Sequence, residues 1–588
     1  MPLNKTNSPK EELFKLSILR HSTSHVLAAA VLELFPKSAL GIGPAIANGF
    51  YYDFALPRPL TPEDLPKIEE KMRQIIRANP KFEKKEIEIP AAIEIFQEKK
   101  QNYKIELLQD LQKKGEKIIS LYQTGNFRDL CRGPHLKSAG KINPKAFKLL
   151  KIAGAYWKGD EKNPMLQRVY GAAFNKPESL KKYLANLEEA AKRDHRKLGA
   201  ALDLFSFHPE APGMPFWHPK GWVIFQEILK FWRAEHLAQG YQEVSTPIIL
   251  AKKLWLTSGH WDHYKENMYF TKIDKKEFAV KPMNCPGNLL IYQEKMHSYR
   301  DFPLKISEVG TVHRHERAGV LSGLFRVREF TQDDAHIFCA EKQITKEVGK
   351  IFDLATRLYH IFGFTKYHIE LSTRPKNSVG TEEMWRKAES ALSEVLEEKK
   401  VDYKVNPGDG AFYGPKIDFH IEDALGRTWQ CGTIQVDFAM PAAFCLSYIG
   451  RDGSKKIPTM IHRTILGSIE RFIGILIEHY AGAFPLWLAP VQVAILPVSE
   501  EKHKGYAKEI CQTLTSRHIR PVINKNNDSV NRKVRDAEKE KIPYILVIGD
   551  EEEKEKTVAV RARGSRKIEK MKLDAFLKMV LEKIKAKA

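Results

Sequence analysis

The chain has 588 residues and carries 95 lysines and arginines against 73 aspartates and glutamates, a formal charge of +22. Such a length predicts about three or four domains rather than a single core. The charge favours a polyanionic partner such as nucleic acid, although lysine-rich stretches like 99–104 and the closing EKIKAKA also serve simply as solvated surface. Six cysteines, at 131, 285, 339, 431, 445 and 511, form no CxxC pair, which excludes a disulfide framework and fits a reducing compartment. The opening MPLNKTNSPKEELFK lacks the layout of a signal peptide. The longest apolar stretch, 464–477, is interrupted by Glu470 and Arg471 and is too short for a bilayer. A soluble, cytoplasmic protein is the expectation.

In chain order, RHSTSHVLAAAVLELF comes first and sets His21 and His25 four residues apart, on one helical face. An isolated HxxxH is often a pair of core histidines. GPAIANGFYYDF, NYKIELL and DLCRGPH follow, the last bringing Cys131 and His135. Cysteine and histidine in this combination also bind zinc, so a second metal site at His21, His25, Cys131 and His135 is an open alternative. Leu180, Tyr183, Leu184, Leu187 and Ala191 then share one face of a helix predicted over 178–198, with Pro177 at its start. It reads as a connector, and a domain boundary falls near 195.

The segments 304–316 and 325–338 read as two antiparallel strands joined by RAGVLSGL, whose glycines allow the turn. Period two places Arg326, Arg328, Phe330, Gln332, Asp334 and His336 on one face, and Arg314 with Glu316 on one face of the partner strand. Guanidiniums, a carboxylate and an aromatic ring on one floor suit a nucleotide, because arginine matches phosphate and a ring stacks on a base. An ordinary salt-bridged surface is the alternative for any two of these residues. Further on, Arg471 interrupts the apolar helix pattern ILGSIERFIGILIE, where a buried charge requires an anion. Glu470 points elsewhere on the helix, so a phosphate is the expected partner of Arg471.

Cys285 in KPMNCPG, His336 in RVREFTQDDAHIF and His462 in IHRTILGSIERF provide three N/S ligands in segments rich in the residues just described. Three such ligands satisfy zinc and leave coordination positions open for a substrate. Beyond FPLWLAPVQV, punctuated by Pro485 and Pro490, the chain alternates: VQVAILPV, a helix near 500–517, RPVIN, a helix near 529–540, and PYILVIG. This predicts a small α/β domain. No internal repeat is present.

Together these strings resemble threonyl-tRNA synthetases, class II aminoacyl-tRNA synthetases, along nearly the whole chain. The resemblance implies an α+β multidomain protein: an editing domain with connecting helix over 1–195, a class II antiparallel-sheet catalytic domain over 196–489, and an α/β anticodon-binding domain over 490–588. By the same resemblance Arg314 grips the α-phosphate of ATP, Glu316 reads the adenine amino group, Phe330 stacks on the base, Arg326 helps hold the phosphates, Gln430 touches the nucleotide and Arg471 holds the γ-phosphate. Gln332, Asp334, Tyr413 and Gln435 contact the amino acid, and Ser245, Thr246 and Pro247 resemble the motif that builds a homodimer interface. Cys285, His336 and His462 match the family's zinc ligands, and Mg2+ would accompany ATP.

The resemblance also explains why a metal belongs there. Valine and threonine are near-isosteres that an apolar pocket separates only about a hundredfold, whereas an open zinc inspects the hydroxyl. Serine passes that inspection, so a hydrolytic site for seryl-tRNA is implied, in which His21, His25, Cys131 and His135 bind the 3′ end and order a water, with Lys104 and Asp129 assisting. Asn527, Glu552 and Arg561 fall at positions that contact anticodon bases, and Arg532, Lys533 and Arg535 are expected at phosphates. The implied partners are tRNA(Thr), ATP and L-threonine. Two features depart from the family. Asn288 stands where a histidine is common, which leaves the three metal ligands intact, and a small ubiquitin-like extension is expected to be missing ahead of residue 1. A non-catalytic RNA-binding paralogue and a prolyl or seryl enzyme are the rival readings.

Overall fold

The structure, a computed structural model, describes residues 9–587. Its contacts divide the chain into two units, Met1–Glu188 and Glu189–Ala588.

In the first unit, the apolar run after His25 becomes the long helix Pro9–Leu34, in which Val26, Leu27, Ala30 and Val31 are buried. It packs against an antiparallel sheet formed by Gly49–Ala55, Met165–Ala173 and Phe147–Tyr156. Alternation along GFYYDF buries Phe50, Tyr52 and Phe54. A second antiparallel sheet, Phe82–Glu88, Ile118–Thr124 and Phe127–Leu130, forms its own small core with the helices Ile89–Glu98 and Asn102–Lys113. Asp129 lies near the end of its last strand and Cys131 directly beyond.

The connecting helix runs Pro177–Arg193, starting at the predicted proline but ending sooner than the predicted 198. Asp194 stops it: its carboxylate accepts from Arg196 N at 2.9 Å and caps a new helix, His195–Ala201.

The second unit is built on an eight-stranded sheet. In spatial order the strands are Gln242–Glu243, Leu304–His313, Glu329–Cys339, Thr459–Ser468, Thr428–Asp437, Lys416–Glu422, Tyr367–Ser372 and Tyr403–Asn406; the six central ones are antiparallel. One face is covered by the helices Pro219–Ala238, Ile344–Ile361, Glu382–Glu398 and Ile469–His479, whose apolar sides make the largest core with Ala335, Ile337, Ile434, Val436, Ile461 and Ile465. Each buried aliphatic or aromatic side chain there contributes about 1.5–3 kcal/mol. The other face bears the polar side chains, and period two therefore separates core from site along each strand.

From Val493 the chain forms a five-stranded mixed sheet ordered Pro521–Ile523, Val493–Pro497, Tyr544–Ile548, Thr557–Ala562, Ile568–Lys572, the first three parallel. The helices Glu500–Ser516 and Val530–Lys539 match the predicted ones closely. The last strand and the closing helix Leu573–Lys585 are rich in charged residues, which masks them in the sequence. No helix among the described residues is long and apolar enough to cross a membrane.

Candidate active site and metal centre

Cys285, His336 and His462 converge. Cys285 opens the helix Cys285–Gln293, with Pro286 in its first turn. His336 and His462 are directly opposite on adjacent antiparallel strands. Their ligand atoms all lie within 4.8 Å of one another, and all three residues are buried. Neither ring nitrogen of His336 has a hydrogen-bond partner. A fully buried imidazole left so is costly unless a cation takes the lone pair. His462 is oriented from behind: its Nε2 lies 2.8 Å from Asp437 Oδ2, while Asp437 Oδ1 accepts from Ala439 N and Met440 N. A carboxylate behind a histidine is the usual support of a metal ligand. Burial pushes the Cys285 thiol well up, and burial with neighbouring His462 and Arg463 pushes the His336 imidazole well down. The donor set and its support fit zinc.

The ligands form one end of a cavity of about 310 Å³ lined also by Arg314, Gln332, Asp334, Tyr413, Thr433 and Gln435. Burial raises the Asp334 carboxyl to about 6. Asn284 Nδ2 donates to it at 3.3 Å, and Asn284 itself lies on Gly310, where a Cβ would sit 2.2 Å from its Oδ1. Tyr413 hydrogen-bonds Gln435 Oε1.

Arg314, Gln332 and Thr464 also line a second chamber of about 740 Å³, with Glu316, Phe325, Arg326, Phe330, Trp429, Gln430 and Arg471. The Arg314 guanidinium lies 5.0 Å from the Phe330 ring centre, and Arg326 pairs with Glu316 at 2.9 Å. Arg471 is placed by a helix cap, Ser468 Oγ accepting from its main-chain N, and its Nε has no partner. Glu470 does point away: it is buried and accepts from Thr331 N at 2.8 Å and Ser468 Oγ at 3.0 Å. Gln430 donates to Asp418. One expectation fails. The strand begins only at Glu329, so Arg328 does not share the floor; it turns to Glu316 O and Pro212 O, because its main-chain N is tied to Gly213 O in the loop.

Thr246 is buried rather than displayed. Its N and Oγ1 donate to Glu308 Oε1, which also receives Lys281 Nζ at 2.8 Å, while Asn288 Nδ2 donates to Glu308 Oε2. Asn288 thus belongs to a buried network outside the metal pocket.

In the first unit His21, His25, Cys131 and His135 also come together within 4.8 Å. Cys131 Sγ is 3.3 Å from His21 Nε2 and 3.2 Å from His135 Nε2. Burial lowers all three imidazoles and raises the Cys131 thiol to about 12. Lys104 Nζ and Asp129 Oδ1 form a buried ion pair at 2.5 Å, and Asp129 Oδ2 accepts from Tyr52 O–H at 2.6 Å and lies 3.6 Å from His25 Nε2. Tyr52 escaped the sequence reading, as did Asn284 and Asp437. None stands in a pattern that marks it, and only the fold brings it to a site.

The anticodon candidates scatter differently. Asn527 is exposed in the loop before Val530–Lys539. Glu552 Oε2 accepts from Gly549 N, and Arg561 pairs with Glu538. Lys533 departs from expectation: it is buried and donates to Pro497 O at 2.9 Å, so it does not face a phosphate.

Comparison with known proteins agrees with this geometry. Residues 269–480 match the tRNA synthetase class II core domain (G, H, P, S and T), 492–583 the anticodon binding domain, and 119–170 the threonyl and alanyl tRNA synthetase second additional domain. The threonine–tRNA ligases of Acetivibrio thermocellus and Desulforamulus reducens are 56% and 55% identical, over 97% of this chain and 88% and 89% of theirs. The RNA binding domain of threonyl-tRNA synthetase from Cryptosporidium parvum superimposes with a TM-score of 0.64 at 42% identity, covering 66% of this chain and 98% of that one. An antiparallel sheet with an arginine-lined chamber, followed by an anticodon-binding domain, defines an aminoacyl-tRNA synthetase of class II. Given the Cys–His–His cluster and the additional domain earlier in the sequence, the chain belongs to the threonyl-tRNA synthetase family and is a ligase.

Proposed function

We propose that this chain activates L-threonine with ATP to threonyl-adenylate, transfers it to the 3′ end of tRNA(Thr), and hydrolyses mischarged seryl-tRNA(Thr) in its first domain. The observation that carries the reading is the unsatisfied, buried His336 between Cys285 and His462, one chamber away from Arg314 and Arg471. Zinc held there would supply open coordination positions for the amino group and hydroxyl of threonine, the second of which valine lacks.

The protein's own groups do the rest. Asp334 accepts a hydrogen bond from the amino group or the hydroxyl of threonine, with Gln332, Tyr413 and Gln435 around the amino acid. Arg314 and Arg326 neutralise the α-phosphate region as the threonine carboxylate attacks, Arg471 holds the γ-phosphate, and Glu316, Phe330 and Gln430 bind the nucleoside. Such a step needs positioning and charge neutralisation more than a base. Mg2+ would be held mainly by phosphate oxygens. We assign 1–195 to editing and its connector, 196–489 to catalysis and 490–588 to the anticodon, with Asn527, Glu552 and Arg561 as base contacts, and a homodimer as the working form.

ATP–pyrophosphate exchange with threonine, serine and valine, with and without a zinc chelator, tests the proposal. Threonine-dependent exchange that the chelator abolishes is expected; exchange indifferent to metal removal contradicts the recognition role. For the editing cluster we favour metal-free hydrolysis, in which the histidines and Cys131 order a water beside the Lys104–Asp129 pair. The four converging donors keep a second zinc in play, and two zinc ions per chain in a quantitative metal assay would establish it.

A further inference from the structure

The loop between the strands Leu304–His313 and Glu329–Cys339 supplies Phe325 and Arg326 to the wall of the arginine chamber. It rests on one imidazole. His195 Nε2 accepts from Leu324 N at 3.0 Å, and His195 Nδ1 lies 2.7 Å from Glu478 Oε1. A main-chain N–H can only donate, so Nε2 is the acceptor and Nδ1 carries the proton to the carboxylate. The main-chain N of His195 donates to the same oxygen at 3.0 Å. Glu478 Oε2 in turn pairs with Arg427 at 2.6 Å, and Arg427 pairs with Asp423.

Aromatic contacts close the arrangement. Phe325 packs against the His195 ring at 4.1 Å and against Trp429, another chamber residue, at 4.4 Å. A Cβ on Gly323, whose φ is +51°, would lie 2.3 Å from His195 Nε2. Ligand atoms of Asp194, His195 and Glu478 are close enough to hold a cation. Both nitrogens of His195 are already committed, however, and Glu478 is neutralised by Arg427, so the group is a closed hydrogen-bond chain. His195 is 1% exposed and lines neither the cavity of Cys285, His336 and His462 nor the arginine chamber.

We infer that His195 is a positioning residue for nucleotide binding: by fixing Leu324 N, it holds Phe325 and Arg326 in the chamber wall. The inference rests on the reading of that chamber as the ATP site. His195→Ala, His195→Gln and Glu478→Gln test it, since glutamine in place of histidine keeps one donor and one acceptor. His195→Ala should raise the KM for ATP about tenfold, the weight of one buried hydrogen bond, with the KM for threonine and the zinc content unchanged. His195→Gln should restore most of the loss. Amide hydrogen exchange over 317–328 should accelerate in His195→Ala, and Glu478→Gln, which keeps an acceptor for Nδ1, should show a smaller effect in the same direction.

A normal KM for ATP in His195→Ala, equal changes in the KM for ATP and for threonine, or no rescue by glutamine would each overturn the inference. If His195→Ala does not fold, a normal KM for ATP and unchanged loop exchange in Glu478→Gln overturn it instead. Wild-type protein without threonine-dependent exchange would overturn the functional reading itself, a result distinguishable from all of these.

Discussion

His336 and His462 face each other across adjacent antiparallel strands, their ring centres 5.0 Å apart and their planes nearly perpendicular at 86°. The register of one strand pair therefore sets two of the three candidate ligands, and a one-residue slip of either strand would send its histidine into the helix-covered core. Asp437 maintains the second ligand through its 2.8 Å contact with His462. Asp437→Asn should weaken zinc binding about 10–100-fold while leaving a folded protein. Zinc titration against a chromophoric competitor measures this, and an unchanged affinity would remove Asp437 from the support of the site.

Arg314 and Arg471 enter the arginine-lined chamber from different elements, just past the end of one strand and on a capped helix. Arg314→Lys or Arg471→Ala should reduce pyrophosphate exchange on the order of a hundred- to a thousandfold, the usual cost of removing a preorganised donor to developing charge. Zinc content should stay normal. Loss of zinc in either variant would show that the two chambers are not separable in this way.

Burial raises the Glu470 carboxyl from its ordinary 4.5 to about 7. Between those pH values the native protein keeps a proton that the unfolded chain has released, so this group's contribution to stability is full below about 4.5 and declines as pH rises towards 7. Glu470→Gln retains an acceptor for Thr331 N and abolishes the titration. Relative to wild type, the variant should gain stability between pH 5 and pH 8, by at most roughly 3 kcal/mol. Urea unfolding at several pH values gives the comparison; parallel curves for the two proteins would sink it.

In the first unit, His25→Ala or Cys131→Ala should abolish deacylation of seryl-tRNA(Thr) and spare threonine-dependent exchange. Mischarged tRNA incubated with each variant reads this out directly. Equal loss of both activities would mean that the cluster supports folding rather than hydrolysis.

Lys104→Met leaves Asp129 buried beside Tyr52 with its ammonium gone. Breaking one partner of a buried pair costs about 3–5 kcal/mol. A lower midpoint in thermal unfolding is expected for the first unit's transition, together with slower seryl-tRNA hydrolysis. Unaltered stability would argue that water already reaches Asp129.

The residues that converge at the candidate site were largely legible in the sequence. Cys285, His336, His462, Arg314 and Arg471 announce themselves because a metal ligand set and an arginine in an apolar helix are chemically conspicuous wherever they fold. His21 and His25 are legible for a similar reason, since helical periodicity alone places them on one face. Element existence followed period and punctuation: Pro177, Pro485 and Pro490 mark breaks that the chain respects.

Other features depend on where distant segments meet. Arg328 looked like a floor residue until Gly213, far away in sequence, claimed its main-chain N–H and delayed the strand. Lys533 looked like a phosphate contact until packing turned it to Pro497 O. Tyr52, Asn284, Asp437 and His195 carry no signature of their own, because their roles lie in hydrogen bonds to residues 25 to 129 positions away. Side-chain chemistry and local periodicity are properties of neighbouring residues, and so the sequence by itself determined which groups can bind metal, phosphate and base. Which residues orient those groups was decided only when the sheet register and loop closures brought remote polar atoms within 3 Å or so, at a depth where an unmade hydrogen bond is costly.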